Sequence, residues 1–319
     1  MTESRGGLVV IGGVALLLVG GLYVLFGGGI SSVRHTAPPP PPFAPTLLSA
    51  SSTPPTLSAE AYTAVYVGPE GVRTALVSKN EHVALPIASI TKLMTAYVAS
   101  ESLAADTVTV PKEATTGKGR TGWYKAGMQF PLSAAYAALL VPSNNEMAET
   151  LALASADSFE TFVARMNVYA ARLMLAETVY VNTSGLDPYD ISSPVNQSSA
   201  YDISRLLERI RKEKPALFDT TRLKSYALID AHGTLVSSLT ATNELLEETI
   251  GHFRVIGGKT GETPRAKQAL TTASEAPCGG MVYAVVLRSD NRFADTRALL
   301  QYVSDAFTWS CTEPENTEG

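Results

Sequence analysis

The stretch Pro86-Ile87-Ala88-Ser89-Ile90-Thr91-Lys92-Leu93-Met94-Thr95-Ala96 places a serine and a lysine three positions apart inside an apolar run. In a helix, Ser89 and Lys92 would lie one turn apart on the same face. A serine hydroxyl is a weak nucleophile at neutral pH and needs a nearby base. A lysine can be that base only when burial or a second cation lowers its pKa. The stretch therefore predicts a nucleophile and its base on one helix, provided that partners for the pair follow downstream.

Two later motifs are candidate partners for this pair. Ser143-Asn144-Asn145 is a Ser-x-Asn in a predicted turn between two apolar helices. Lys259-Thr260-Gly261 follows paired glycines on a predicted strand. The ordered set Ser-x-x-Lys, Ser-x-Asn and Lys-Thr-Gly is the motif set of β-lactamases and penicillin-binding proteins. Each motif alone is close to chance, but the three together in a helix, a turn and a strand favour a serine enzyme.

The residues around the three motifs extend the match to one family. The chain resembles the D-alanyl-D-alanine carboxypeptidases, the low-molecular-mass penicillin-binding serine peptidases, over about residues 59–307. The similar stretches are 86–96, 139–145, 166–167, 182–187, 199–202 and 258–263. The resemblance implies a β-lactamase/transpeptidase-like fold and hydrolysis of peptidoglycan stem peptides that end in D-Ala-D-Ala. It also implies β-lactam antibiotics as covalent inhibitors.

The resemblance assigns the proton transfers to Ser89, Lys92 and Ser143, assisted by Lys259 and Asn145. Ser89 would form an acyl-enzyme with the penultimate D-alanine, and Lys92 would take its proton. Desolvation and the charge of Lys259 would lower the pKa of Lys92. Ser143 would relay the proton toward the leaving group, and Asn145 would bond the substrate amide and hold Lys92.

The resemblance also assigns the groups that bind the substrate. Lys259 and Thr260 would bind the terminal carboxylate, and Gly261 would leave room for the substrate backbone along the strand edge. The backbone N–H groups of Ser89 and Glu262 would form the oxyanion hole. The chain departs from the family at Glu262, where an aromatic residue or histidine is frequent, and at Lys267, where glycine is usual.

The hydrophobic patterns predict an α/β (α+β) fold. Runs of β-forming residues predict strands at 61–67 and 72–78 in one hairpin, at 226–229 and 234–239 in another, and near the end at 253–256, 268–273 and 281–287. Helical patterns lie between the first and last strands, and a closing helix is predicted at 292–307. We therefore expect one antiparallel sheet built from both chain ends, flanked by helices, with a helical lobe inserted. Residues 103–129 show no clear pattern.

Composition excludes several classes of partner. The 319 residues are 45% hydrophobic and 17% charged, with a net charge of −5 and no basic cluster, so nucleic acid is not expected as a partner. The four histidines form no metal-binding motif, and neither a metal nor a cofactor is expected. Cys278 and Cys311 would be either two reduced thiols or one disulfide.

The first 58 residues predict an anchored protein. Residues 8–26 are uncharged, rich in Leu, Val and Gly, and long enough to cross a bilayer as a helix. A cleaved signal peptide is the alternative. The predicted segments are a short tail at 1–7, the membrane helix at 8–26, a Pro/Ser/Thr-rich linker at 27–58, the peptidase domain at 59–311 and an acidic tail at 312–319. We expect a single-pass protein of the cell membrane with its catalytic domain on the extracytoplasmic side, anchored by this N-terminal helix.

Three other functions stay open. A class A β-lactamase would carry a glutamate that activates the deacylating water. The acidic residues of 186–196, where that family would carry it, are aspartates, which favours the peptidase. A D,D-endopeptidase, which cuts cross-links, would use the same residues as a carboxypeptidase. An inactive scaffold that binds the wall is a third possibility, and the intact motifs argue against it.

Overall fold

The computed structural model describes residues 43–48, 53–116 and 119–311. The strands within them are β1 Ala61–Val67, β2 Arg73–Lys79, β3 Leu85–Pro86, β4 Thr107–Thr109, β5 Gln129–Pro131, β6 Gln197–Ser198, β7 Ser225–Ile229, β8 Leu235–Thr240, β9 Thr249–Ile250, β10 Phe253–Thr263, β11 Lys267–Glu275 and β12 Met281–Ser289. The helices are α1 Thr91–Ser102, α2 Leu132–Leu140, α3 Asn145–Ser155, α4 Phe159–Arg172, α5 Ala200–Glu213, α6 Pro215–Thr220 and α7 Arg292–Ala306. Three 3₁₀ turns span Ala88–Ile90, Lys112–Thr115 and Pro277–Gly279.

The main sheet joins the two ends of the folded region. Its antiparallel strands follow the order β2-β1-β12-β11-β10-β9. At its centre β1 pairs with β12, from Ala61 opposite Leu287 to Val67 opposite Met281. Helices α1 to α6 lie between these two strands in sequence. This confirms the predicted sheet of both chain ends with a helical insertion.

The sheet lies between two apolar cores because successive side chains of a strand point to opposite faces. Ala61 and Val65 of β1 pack with residues of α1, α2, α3 and α5 on one face. Tyr62 and Ala64 pack on the other face with Leu299 and other residues of α7. Every residue of β1 is therefore buried. Within this sheet β10 carries the Lys-Thr-Gly motif and packs against the Ser89 turn.

The local structure differs from the sequence prediction at several points. Ser89 lies in a 3₁₀ turn before α1 and not within the α-helix itself. Residues 103–129, which showed no pattern, contain β4, the 112–115 turn and the start of β5. Their strands are three residues long, too short for a periodicity to be read. Lys267 adopts φ +49°, a left-handed conformation that explains why a glycine is usual at this position.

Part of the predicted linker lies against the folded domain. The Leu48 N–H donates to the Ala306 carbonyl at 2.8 Å, and the Thr308 N–H donates to the Thr46 carbonyl at 2.9 Å. The Phe43 ring packs edge-on against Tyr66, with ring centroids 5.7 Å apart. The structure therefore differs from a linker that runs uninterrupted to residue 58, because apolar residues among its prolines find partners on the domain.

The predicted membrane helix at 8–26 lies outside the described residues and stays a prediction, as do the 1–7 and 312–319 tails. Along 43–48, 53–116 and 119–311, none of the helices combines the length and the apolar character that a bilayer crossing requires. Of the two alternatives for the cysteines, the structure contains the disulfide between Cys278 and Cys311. This bond ties the segment after α7 to the loop between β11 and β12.

Candidate active site

The Ser89 turn is held in an unusual backbone conformation. Ala88, the residue before the nucleophile candidate, has φ +45°, which costs a non-glycine residue on the order of 1 kcal/mol. The Ile90 N–H donates to the Ile87 carbonyl at 3.2 Å and closes the turn. Helix α1 then begins at Thr91, so Lys92 lies in its first turn. Ser89 is therefore half-buried just before the N-terminus of α1, and the first turn of that helix is fully buried.

Lys92 makes three close contacts although its side chain is fully buried. Its Nζ donates to Asn145 Oδ1 at 2.8 Å and to the Ser184 carbonyl at 2.6 Å, and it lies 2.8 Å from Ser89 Oγ. A neutral amine has two N–H groups and one lone pair. The two oxygen acceptors use both N–H groups, which directs the lone pair to the Ser89 hydroxyl. This arrangement suits a base that removes the hydroxyl proton.

The surroundings of Lys92 favour its neutral form. Burial lowers the pKa of Lys92 well below its usual value, and the charge of Lys259 lowers it further. The Glu149 carboxylate acts in the opposite direction and raises the pKa. Burial and the second lysine outweigh the carboxylate, so Lys92 can be a free base at a pH where an exposed lysine is charged.

A second lysine and serine face the same cleft. Lys259 Nζ donates to Ser143 Oγ at 2.7 Å and to the Thr260 carbonyl at 2.9 Å. Burial, and after it the charge of Arg292, lowers the pKa of Lys259 to about 7. Ser143 adopts φ +65°, which turns its hydroxyl out of the α2–α3 connection toward Lys259. A carboxylate bound here would raise the pKa of Lys259 again and stabilise its ammonium form.

The rest of the third motif is packed against neighbouring elements. The Thr260 hydroxyl lies 2.5 Å from that of Thr242. A Cβ atom on Gly261 would lie 2.7 Å from the Ile87 carbonyl oxygen. Gly261 thus allows β10 to pack against the Ser89 turn. Its predicted role of leaving room for the substrate backbone stays a prediction. The Glu262 carboxylate points away to solvent and accepts from Arg292 Nη1 at 2.7 Å.

Sequence reasoning missed several groups that contact the predicted site. The Ser184 carbonyl is a partner of Lys92, but a backbone acceptor leaves no trace in side-chain chemistry. Asn196 donates from Nδ2 to Thr91 Oγ1 at 2.8 Å and so links the 182–187 loop to the start of α1. Arg120 and Glu149 form an ion pair beside the Asn145 turn. No cluster of His, Cys, Asp or Glu in the described part of the chain is arranged to hold a metal ion.

Gly185 also packs against the Ser89 turn, and its substitution tests the effect of that contact. It has φ +83°, and an added Cβ would lie 1.9 Å from the Ala88 carbonyl oxygen. We expect Gly185→Ala to displace the turn and slow covalent labelling by a fluorescent penicillin about 100-fold, since a shift of 1 Å can cost this much. Gly233→Ala is the matched control, with the same φ of +83° and no atom within 4 Å of the added Cβ. Equal labelling rates for the two variants would contradict this role.

Comparison with known proteins identifies a family and several relatives. The family model described as D-alanyl-D-alanine carboxypeptidase matches residues 49–291. The D-alanyl-D-alanine carboxypeptidase DacD of Escherichia coli is 30% identical over 253 residues, which are 73% of this chain and 60% of that protein. A D-alanyl-D-alanine endopeptidase of Pseudomonas aeruginosa is 30% identical over 236 residues, 72% of each chain.

Solved structures show the same architecture. Penicillin-binding protein D2 of Listeria monocytogenes in its ampicillin-bound form has a TM-score of 0.65 and 27% identity, over 79% of this chain and 99% of that one. This likeness confirms the predicted penicillin-binding, transpeptidase-like fold. The chain spans about three fifths of the length of the E. coli relative that it matches.

Proposed function

The chain belongs to the D-alanyl-D-alanine carboxypeptidase family, and we propose that it is a serine D,D-peptidase that releases the terminal D-alanine from peptidoglycan stem peptides. One observation supports this more than any other. Two buried lysines each contact a serine hydroxyl, Lys92 at Ser89 and Lys259 at Ser143, within hydrogen-bonding distance. A hydroxyl next to a neutral amine is the requirement for a serine nucleophile without histidine.

Acylation begins at Ser89 in this proposal. Its Oγ attacks the carbonyl carbon of the penultimate D-alanine, and its proton passes to the lone pair of Lys92. The backbone N–H groups of Ser89 and Glu262 stabilise the oxyanion of the tetrahedral intermediate. The proton now on Lys92 passes through the Ser143 hydroxyl to the leaving nitrogen as the C–N bond breaks, which returns Lys92 to its neutral form. Water then hydrolyses the ester, with Lys92 as base, and restores the Ser89 hydroxyl.

Substrate binding is assigned to the other two motifs. Lys259 and Thr260 bind the terminal carboxylate, and Asn145 bonds the amide of the acyl portion. The same acylation chemistry would make β-lactams covalent inhibitors that react at Ser89, and the Listeria relative solved with ampicillin supports this. Since Ser143 and Lys259 also form the carboxylate side of the cleft, a β-lactam carboxylate would occupy the same place.

A D,D-endopeptidase is the second candidate, favoured by the Pseudomonas relative that this chain matches over 72% of its length. Both activities use one acyl-enzyme and differ in the leaving amine, which is free D-alanine in one and a cross-linked peptide in the other. A β-lactamase and an inactive scaffold remain the more distant alternatives.

We also propose that the protein acts outside the cytoplasm. The substrate is a wall peptide, the disulfide between Cys278 and Cys311 suits an oxidising compartment, and the 8–26 segment would anchor the chain in the cell membrane. In that arrangement the residues between the anchor and β1 hold the catalytic domain near the wall.

Two substrates test the proposed function. We expect the full-length protein to release D-alanine from a pentapeptide stem and to form a covalent adduct with a fluorescent penicillin. Cleavage of cross-linked muropeptide dimers without pentapeptide cleavage would establish the endopeptidase instead. A folded protein that forms no penicillin adduct and cleaves neither substrate would overturn both candidates and leave the scaffold.

A further inference from the structure

Residues 119–123 form a segment that lies on the Ser-x-Asn turn, and we name it the Arg120 segment. Asn145 Nδ2 donates to the Gly119 carbonyl at 3.0 Å, while Asn145 Oδ1 accepts from Lys92. The Thr121 N–H and hydroxyl both donate to Glu146 Oε1, at 2.6 and 2.9 Å. The amide of Asn145 is thus held at both ends, by Lys92 at its oxygen and by the Gly119 carbonyl at its nitrogen.

An ion pair fastens the Arg120 segment to helix α3. Arg120 Nη2 lies 2.6 Å from Glu149 Oε2, and the two side chains are only 14% and 17% exposed. Arg120 Nε also donates to the Thr116 carbonyl at 2.7 Å. Glu149 follows Asn145 by one helical turn, so both side chains lie on the same face of α3. Because the pair is largely shielded from solvent, its charges act on neighbouring groups with little screening.

The charges that act on Lys92 come from several elements. Lys259 on β10 disfavours its ammonium form, and Glu149 on α3 favours it. Glu149 interacts electrostatically with Arg120, Glu146 and Lys92, and burial raises its pKa while Arg120 opposes that shift. An unpaired carboxylate at this position would therefore attract a proton to Lys92 and work against its role as a base.

We propose that Arg120 is a positioning residue, which compensates the Glu149 charge beside Lys92 and holds the Gly119 carbonyl on the Asn145 amide. The inference rests on the proposed function, since it concerns the base and the amide-binding group of that reaction. Arg120 acts through Glu149 and Asn145 and does not itself touch substrate. The pair has an electrostatic effect on the base and a geometric effect on substrate binding, and these effects are separable.

Three variants of the full-length protein test the electrostatic effect through the pH dependence of penicillin acylation. The rate rises as Lys92 loses its proton, so the acidic limb of the profile reports that loss. Arg120→Ala removes a cation and is expected to move the limb to higher pH by about 0.5–1 unit. Glu149→Gln removes the carboxylate and is expected to move the limb to lower pH. The double variant removes both charges, and its limb is expected to return close to that of the parent.

The geometric effect is read from substrate binding at a pH above the limb. We expect Arg120→Ala and the double variant to raise KM for the pentapeptide several-fold with a smaller change in kcat, and Arg120→Lys to recover part of the loss. Arg297→Ala is the matched control, because it also breaks an arginine–glutamate ion pair, between Arg297 on α7 and Glu248. It is expected to leave the pH profile of acylation unchanged.

The outcomes separate this inference from the proposed function. A parent protein without penicillin acylation would refute the proposed function itself. If the parent is acylated and thermal melting shows that the single variants fold, the acidic limbs of their pH profiles decide the inference. Limbs that coincide with each other or move in the same direction would overturn the inference alone. Should Arg120→Ala fail to fold, opposite limb shifts in Glu149→Gln and in Arg120→Gln decide the same question.

Discussion

Ser89→Ala is expected to abolish covalent labelling by a fluorescent penicillin and to lower D-alanine release by a factor on the order of 10⁴ or more. The substitution removes only the hydroxyl group, and no neighbouring group replaces it as the acyl acceptor in the proposed reaction. Ser89 is half-buried, and its Oγ contacts Lys92 Nζ at 2.8 Å. Lys92 keeps its bonds to Asn145 and Ser184, so the fold is expected to persist.

The control for this prediction is Ser100→Ala on α1, the helix that follows the Ser89 turn. Ser100 Oγ donates to the Tyr97 carbonyl, outside the cleft, and its loss is expected to leave labelling unchanged. Thermal melting of each variant shows whether the protein is folded, and substitutions of this kind usually change stability by less than about 1 kcal/mol. Labelling of Ser89→Ala at the parental rate would place the nucleophile elsewhere and overturn the assignment.

The sequence was most informative where long periodic patterns decide the structure. The β-forming residues of β1 and β12 placed both strands, and the expected sheet of both chain ends is present because β1 pairs with β12. The buried stripe of α5, with Ile203, Leu206 and Ile210, was equally clear. These elements are fixed by their own periodicity, so no knowledge of their neighbours was needed to predict them.

The candidate site was harder to predict because its geometry depends on contacts between distant segments. The motif residues were named in advance, and the structure places Lys92 against Ser89 and Lys259 against Ser143, with the two lysines close enough to interact electrostatically. The need for glycine at Gly261 was assigned to the substrate alone, and the structure adds a close approach of β10 to the Ser89 turn. Such an approach is a property of tertiary packing and has no local signal.

The residues around the motifs were hardest to predict. Arg120 lies in a stretch of short strands and turns, where neither period is long enough to read. Its partner Glu149 follows the helical pattern of α3 like an ordinary polar position. Only the fold shows that this pair lies next to a buried base. Sequence motifs therefore identified the reacting groups, and the structure was required to find the groups that act on them.

Lys92→Met is expected to lower penicillin acylation by about 10²–10⁴-fold, the usual contribution of a general base. Methionine fills a similar apolar volume but has no lone pair for the Ser89 proton. The parental rate is expected to rise with pH as Lys92 is deprotonated, and in the variant this dependence on Lys92 disappears. Lys79→Met, at an exposed position of β2, is the control and is expected to keep the parental profile.

The Lys92→Met substitution is also expected to reduce the rise of the free energy of unfolding with pH. The pKa of Lys92 is about 10.5 in the unfolded chain and lies well below that in the folded protein. At a pH between the folded-state pKa and 10.5, the unfolded chain therefore binds a proton that the folded chain does not. The free energy of unfolding therefore rises with pH through this window, by about 1.4 kcal/mol per pH unit for one group. Urea unfolding between pH 8 and pH 10 is expected to show a slope reduced by up to this amount in Lys92→Met. An undiminished slope would mean that Lys92 is charged in the folded protein, and a charged Lys92 could not accept the proton of Ser89.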